Sequence, residues 1–406
     1  MSLVVMKFGG SSLANADKMK RVAERIIIKK KSGNKVIAVV SAPGDTTDDL
    51  IKMADKITCN PSIREMDMLL ATGEMISISL LAMTIGAMGE KVISMTGPQA
   101  GILANDDYTR ARIREINPQK INDQLAKDNI VIVAGFQALN SIGDVTTLGR
   151  GGSDLTAVAL AAALKSDSCE IYSDVEGVYT TDPRFVKDAK KIDYISYDEM
   201  LEMAGSGSQV LQSRSIEVAK KFNVEIHSRS TFSENEGTII TSEEKIKGKK
   251  MESFSISGIS FDKNQVKFTI SVLDAPDIVA KIFSHCSKVG IIIDMLSQSV
   301  SNKTNIISFV VNRSDIKKTQ EELDKITSDY RVSISCDKHV AKVSIIGVGI
   351  KSHGIVAAKM FETLHKSNIG INMVSISEIK ISCIINESDV LKALEEIHKE
   401  FGLSKK

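Results

Sequence analysis

Three stretches of this chain are apolar nearly throughout instead of alternating, and no other feature limits its fold as much. Residues 3–8, 35–41 and 130–136 are each a strand's length and dominated by Val, Ile, Leu, Ala and Met, and 91–96 reads as another strand. A strand with apolar side chains on both faces must be covered on both faces, as in a parallel sheet flanked by helices. The residues between them read as helices: about 15–31 after the first strand and a stretch ending near residue 57 after the second. Residues 62–88 read as a helical pair, in which Thr72-Gly73-Glu74 suggests a kink aiming Glu74 inward. Cys169-Glu170-Ile171-Tyr172-Ser173-Asp174 reads as a further strand. Ligands of such sheets bind beyond the strands' carboxyl ends, where residues 7–12 and 41–47 both lie.

Two glycine-rich turns sit in this frame. Lys7 ends the first strand and is followed by Gly9-Gly10-Ser11-Ser12 and a helix, an order that suits a phosphate cradle. It is not a Walker loop, because the lysine precedes the glycines. The second turn is Thr146-Thr147-Leu148-Gly149-Arg150-Gly151-Gly152-Ser153-Asp154, ahead of an Ala-rich apolar run over 155–164. It reads as a turn feeding the N-terminus of a buried helix, with Asp154 near the cap and Arg150 shaped for a carboxylate or phosphate. The polar loop over 175–184 offers hydroxyls, a ring and Arg184 to a nucleotide. Plainer readings stand beside these: Lys7 as a solvated strand-end lysine and Glu74 as a surface glutamate.

At 406 residues the chain is too long for one core, so two or three domains are expected. Lys plus Arg (52) nearly cancels Asp plus Glu (51), aromatics are 4% and Trp is absent, which argues against nucleic acid as a partner. The five cysteines have no metal-ligand spacing and suit a cytoplasmic protein with reduced thiols. No stretch reads as the roughly 20 apolar residues of a membrane span, and the first residues read as a strand, not a signal peptide. The charged run 242–250 reads as a linker. Beyond it the chain repeats itself: Ile282-Phe283 and Asp294-Met295-Leu296-Ser297 match Met360-Phe361 and Asn372-Met373-Val374-Ser375. Each copy reads strand, helix, strand, strand, helix.

Taken together in chain order, Lys7-Phe8-Gly9-Gly10-Ser11-Ser12, Thr46-Thr47-Asp48, Thr72-Gly73-Glu74, residues 149–154, and Ser173-Asp174 through Asp182-Pro183-Arg184 closely resemble aspartate kinases, over nearly the whole chain. The resemblance implies a three-layer α/β amino-acid-kinase sandwich with a mainly parallel sheet, followed by two α+β ferredoxin-like ACT units. It divides the chain into a catalytic domain over 1–243, a linker and first regulatory strand over 244–263, and ACT domains over 264–338 and 339–406. It implies ATP-dependent phosphorylation of the L-aspartate β-carboxylate, with Mg²⁺ on the phosphates, in the biosynthesis of lysine, threonine and methionine. Expected at the phosphates are Lys7, the backbone of Gly9, Gly10 and Ser11, and Asp154 and Ser41 beside them. Expected at aspartate are Glu74, Thr47, Arg150, Gly151, Gly152 and Ser153. The nucleotide is expected on Ser173, Asp174, Tyr179, Thr180, Asp182, Arg184 and Gln209, although the family's usual residue at the last position is lysine. Pro43 likewise stands where the family usually has Met.

ACT pairs imply an effector amino acid, lysine with threonine as rival, on Ala275, Asp277, Ile278, Ile293, Asp294, Ser297, Gln298 and Ser299. Asp294 could meet the effector's ammonium, or could be a solvated strand-end carboxylate. The resemblance also implies a homodimer or tetramer through the ACT domains; by length, no fused homoserine dehydrogenase is expected. Two rivals are another amino-acid kinase, such as one acting on glutamate, and a sensor with an inactive kinase domain.

Overall fold

The computed structural model describes residues 2–208, 210–247, 255–273, 275–301, 304–327, 332–350 and 354–404. Gln209 and the end of the charged run, 248–250, lie outside these. In the first part of the chain the strands are β1 (Leu3–Phe8), β2 (Lys35–Val40), β3 (Val92–Met95), β4 (Ile102–Ala104), β5 (Ile113–Ile116), β6 (Ile130–Ala134), β7 (Gln137–Leu139), β8 (Val145–Thr147), β9 (Ser168–Ser173), β10 (Tyr194–Ser196), β11 (Ile226–Ser230) and β12 (Thr238–Thr241). The helices are α1 (Ala16–Lys31), α2 (Thr46–Ile57), α3 (Ile63–Ala87), α4 (Gln119–Ala126), α5 (Gly152–Leu164), α6 (Tyr197–Gly205), α7 (Ser213–Phe222) and α8 (Glu243–Lys247).

Eight strands form one sheet in the order β10-β12-β11-β9-β1-β2-β6-β3, parallel except between β11 and β12. The apolar runs of β1, β2 and β6 lie inside this sheet, and β3 is its edge strand. Alternate residues of these strands, Val4, Met6 and Phe8 with Val36, Ala38 and Val40, pack into one core with α1 and α3. The opposite residues face the side covered by α5, which contacts β1, β2 and β9. Unbroken apolarity was the requirement for covering both faces. A smaller sheet, β5-β4-β7-β8, lies outside this one.

The expected helical pair over 62–88 is one continuous helix, α3. Gly73 does not kink it. A Cβ on Gly73 would lie 2.7 Å from the Ala42 Cβ, so the missing side chain lets the helix touch the turn after β2. A second expectation is corrected here too: α3 is long and apolar enough to cross a membrane by length and composition. In this fold it is a core helix, with Leu70, Ile78, Leu81 and Ile85 buried and the carboxylates of Asp67 and Glu74 turned into the protein.

By contacts the chain divides into two units, one of residues 1–178, 191–204 and 209–251, the other of 179–190, 205–208 and 252–406. The second holds β13 (Ser255–Leu273), α9 (Ile278–Lys288), β14 (Met295–Ser301), β15 (Thr304–Asn312), α10 (Ile316–Thr327), β16 (Val332–Val348), α11 (Gly354–Lys366), β17 (Met373–Ile376), β18 (Lys380–Asn386) and α12 (Val390–Glu400). Its antiparallel sheet runs β14-β15-β13-β16-β18-β17. The repeat read from the sequence is thus a real repeat of βαββα. The long strands β13 and β16 serve both copies. Ile259 at the start of β13 packs with Val343, Ile345, α11 and α12, whereas Phe268 and Ile270 further along pack with α9 and α10. A boundary at 263/264 therefore falls inside one continuous strand. Within the charged run, Glu243–Lys247 is helical.

Candidate active site

β1 delivers Lys7 to the carboxyl edge of the large sheet, between β2 and β9. The Lys7 side chain is about nine-tenths buried, and its Nζ lies 2.7 Å from Asp154 Oδ1, in the first turn of α5. An ammonium and a carboxylate held this close and this dry are a deliberate placement: each charge needs the other to offset its desolvation.

The turn after β1 is a 3-10 turn over Gly10–Ser12. It crosses the turn after β2 so closely that a Cβ on Gly10 would sit 2.7 Å from the Ala42 carbonyl oxygen, and Gly44 N–H donates to Gly10 O (2.9 Å). Glycine here is a packing necessity. The Gly9 N–H donates to Tyr172 O (3.1 Å), so of the three amides expected at the phosphates this one is already bonded within the protein.

Glu74 projects from α3 toward the same edge and is 3% exposed. Its Oε1 accepts the Ala42 N–H (3.0 Å), and its Oε2 is buried without a protein partner. Burial pushes its carboxyl up to about 7, against the opposing effect of the Ala42 hydrogen bond. A buried acceptor lacking a donor is a costly arrangement unless a ligand supplies the donor. Ser77, one turn on, donates to Ser41 O (2.7 Å) and fixes the residue beside the phosphate turn. Thr47 lies in the first turn of α2, half-buried.

Gly149, Arg150 and Gly151 follow β8, and Gly152 and Ser153 open α5. Arg150 is exposed, one turn before Asp154. What aims this turn was not visible in its own residues. Asp67, fully buried on α3, accepts from Thr147 N–H (3.0 Å), Thr147 Oγ1 (2.6 Å) and Thr109 N–H (2.9 Å). Arg214 of α7 donates to Leu148 O (2.6 Å) and Ala111 O (2.8 Å). The spacing held a signal: Asp67 and Glu74 are seven residues apart in an apolar helix, hence on one face. Lys7 thus meets Asp154, Gly10 meets the Ala42–Gly44 turn, and Glu74 meets Ala42, at one end of the sheet; Ser11, Ser41, Thr47 and Ser153 lie in the same turns and first helical turns, and Arg150 in the turn that leads into α5.

The residues expected around the nucleotide divide. Ser173 ends β9 and Asp174 follows it, next to this cluster, where the Gly9 and Thr231 N–H groups donate to the strand's last carbonyls. Tyr179, Thr180, Asp182 and Arg184 belong to the other unit. There Arg184 forms a forked pair with Asp182 (2.6 Å at its shortest), and the Thr180 hydroxyl lies 3.0 Å from His398 Nε2. Thr180 is 6% exposed, and its hydroxyl already has protein partners.

Of the residues expected to meet an effector, Ile278 and Ala275 are core side chains of the first repeat, and Ile293 is partly buried against the same core. Asp277 pairs with Lys281 (2.8 Å). Ser297, Gln298 and Ser299 are exposed on β14, the edge strand, with Gln298 donating to Asn305 (3.0 Å). Asp294 is neither free nor merely solvated: it pairs with Lys342, whose side chain is almost wholly buried and also reaches the Gly205 carbonyl (3.3 Å).

Residues 2–229 match the amino acid kinase family model, and residues 343–401 match an ACT domain model. The aspartokinase of Mycolicibacterium smegmatis is 44% identical over 99% of this chain and 97% of its own length. Among solved structures, aspartate kinase from Synechocystis is 35% identical, covering all of this chain and 70% of that one, with a TM-score of 0.56. Escherichia coli aspartokinase III, solved with aspartate and ADP, shares the fold at 23% identity, covering 98% of this chain and 99% of its own, with a TM-score of 0.79. The same protein solved with lysine and aspartate gives 0.73. A match of this identity along the full chain places the protein in the aspartokinase family, phosphotransferases whose acceptor is a carboxyl group, here with ACT regulatory domains.

Proposed function

We propose that the cluster at the end of the large sheet moves the γ-phosphoryl group of ATP onto the β-carboxylate of L-aspartate, giving 4-phospho-L-aspartate, the first committed step toward lysine, threonine and methionine. The observation that carries this reading is the buried Lys7–Asp154 pair at the phosphate turn, 2.7 Å apart. Phosphoryl transfer needs alignment and charge neutralisation more than covalent help. Lys7 supplies the positive charge, Asp154 holds its ammonium in place, and the Gly10 and Ser11 amides face the phosphates beside Ser41. Ser173 and Asp174 take the nucleotide at the end of β9. Asp154 also offers a hard oxygen donor, of the kind Mg²⁺ accepts when phosphates and water fill its remaining positions. The acceptor carboxylate is already ionised at neutral pH, so no general base is needed. Glu74 receives the aspartate ammonium on its unpartnered Oε2, Arg150 takes the α-carboxylate, and Thr47, Ser153 and the Gly151–Gly152 backbone complete the substrate site.

The regulatory reading is inhibition by lysine, with threonine as the alternative, at the Asp294 end of the first repeat, in an assembly of two or four chains joined through the ACT sheets. The support is the family, the repeat, and an aspartokinase of the same fold that binds lysine. A coupled ATP assay over a panel of aspartate, glutamate and N-acetylglutamate, with and without lysine or threonine, tests both parts. Turnover is expected with aspartate, and Arg150→Ala should raise the aspartate KM by about tenfold or more. An unchanged KM removes Arg150 from the site.

A further inference from the structure

We infer that Arg214, on α7, is a positioning residue for the acceptor amino acid: it fixes the backbone that aims Arg150. The inference rests on the reading of Arg150 as the partner of the aspartate α-carboxylate. Every group in it belongs to the first unit.

Arg150 stands between two glycines. Gly149 and Gly151 both have left-handed backbones, with φ of 79° and 72°. Glycine adopts that conformation freely, so it sets no direction by itself. Direction comes from what the two glycines touch. A Cβ on Gly149 would lie 3.2 Å from the Thr109 carbonyl oxygen, and one on Gly151 would lie 2.7 Å from the Gln212 Cβ. The turn is thus wedged between the 109–111 segment and the start of α7.

Two side chains of opposite charge hold that wedge. The Asp67 carboxylate receives the Thr147 N–H (3.0 Å), the Thr147 hydroxyl (2.6 Å) and the Thr109 N–H (2.9 Å). Thr109 is itself left-handed, with φ of 67°, a conformation that a residue with a side chain keeps only under outside restraint. The Arg214 guanidinium serves the carbonyls instead: Nη1 donates to Leu148 O (2.6 Å) and Nη2 to Ala111 O (2.8 Å). The Ala111 N–H in turn donates to Thr147 O (2.9 Å). Residues 109–111 and 147–148 are therefore joined once directly and bridged twice, by a carboxylate at their amides and by a fork at their carbonyls. Leu148 precedes Gly149, so the fork ends two residues from Arg150. Spanning two acceptors with one planar group is what a guanidinium offers and an ammonium does not. Leu148 and Ala111 are fully buried, so removing the fork takes a donor from two carbonyls that need one.

Arg214 meets backbone alone in these bonds and takes no part in the transfer. Lys7 and the phosphate turn are set by β1 between β2 and β9. The loss on removing Arg214 therefore falls on aspartate and spares ATP.

The experiment measures kcat and both KM values for the full chain carrying Arg214→Met, Arg214→Lys, Arg150→Ala, and Arg150→Ala with Arg214→Met. Arg214→Met should raise the aspartate KM by about tenfold, with the ATP KM within about twofold. Arg214→Lys, which can reach one carbonyl but not both, should fall between it and the wild type. Because Arg214 acts through Arg150, the double variant should have an aspartate KM within about twofold of Arg150→Ala alone, whereas independent roles would multiply. Should Arg214→Met fail to fold, Arg214→Lys, alone and joined to Arg150→Ala, decides by the same comparison. With a raised aspartate KM in Arg150→Ala, three results overturn the positioning role and leave the substrate reading standing: an unchanged aspartate KM in a folded Arg214 variant, an ATP KM raised as much as that for aspartate, or losses that multiply. An unchanged aspartate KM in Arg150→Ala overturns that reading and the inference with it.

Discussion

Glu74 carries two opposed demands in one side chain. Burial lifts its carboxyl to about 7, while the unfolded chain releases the same proton near 4.5. Between those values the folded state holds more proton than the unfolded one, so stability falls as pH rises from about 4.5 to about 7 and is level above. The total is on the order of 3 kcal/mol at about 1.4 kcal/mol per unit. Glu74→Gln should therefore raise the thermal midpoint at pH 8 while raising the aspartate KM by about tenfold. A midpoint below wild type would show that the ionised carboxylate is not the strained species. In the wild type, the aspartate KM should climb as pH falls through about 7, because the ammonium loses its charged partner. A flat profile between pH 6 and 8 would remove Glu74 from that role. Lys7→Ala should lower kcat by about a hundredfold or more with an unchanged circular dichroism spectrum, and a fully active variant would refute its assignment.

At the scale of elements, apolar runs marked β1, β2 and β6 as strands covered on both faces, and glycine positions decided how closely the elements meet. Gly73→Ala tests the second point. Its Cβ would need the place held by the Ala42 Cβ, so the variant should lose about 1–3 kcal/mol, readable as a shift in denaturant midpoint. Full stability would mean that the turn after β2 can retreat. The sequence suggested a kink at this glycine because Gly inside a helical pattern weakens the helix there. The helix runs through, since its packed neighbour outweighs local propensity. The small sheet of β4, β5, β7 and β8 left no comparable sequence signal. Its strands are three or four residues long, too short for periodicity to register.

At the scale of the molecule, the regulatory unit is one six-stranded sheet in which β13 and β16 run through both repeats. Asp294 and Lys342 sit on opposite repeats and are joined. An effector ammonium drawn to Asp294 would compete with Lys342, so Asp294→Asn should raise the lysine or threonine concentration for half-inhibition by about tenfold. Unaltered inhibition would place the effector elsewhere. Much of this protein was legible in its residues. Strand burial, the two glycine turns, Lys7, Asp154, Glu74 and the C-terminal repeat all follow from composition and spacing, because those depend on neighbours within a few positions. What the residues could not give were the partners: Asp67 on Thr147, Arg214 on Leu148, Lys342 on Asp294 and His398 on Thr180. Each pair is between 48 and 218 residues apart in the chain. Their meeting depends on how folded elements stack, which local pattern does not encode.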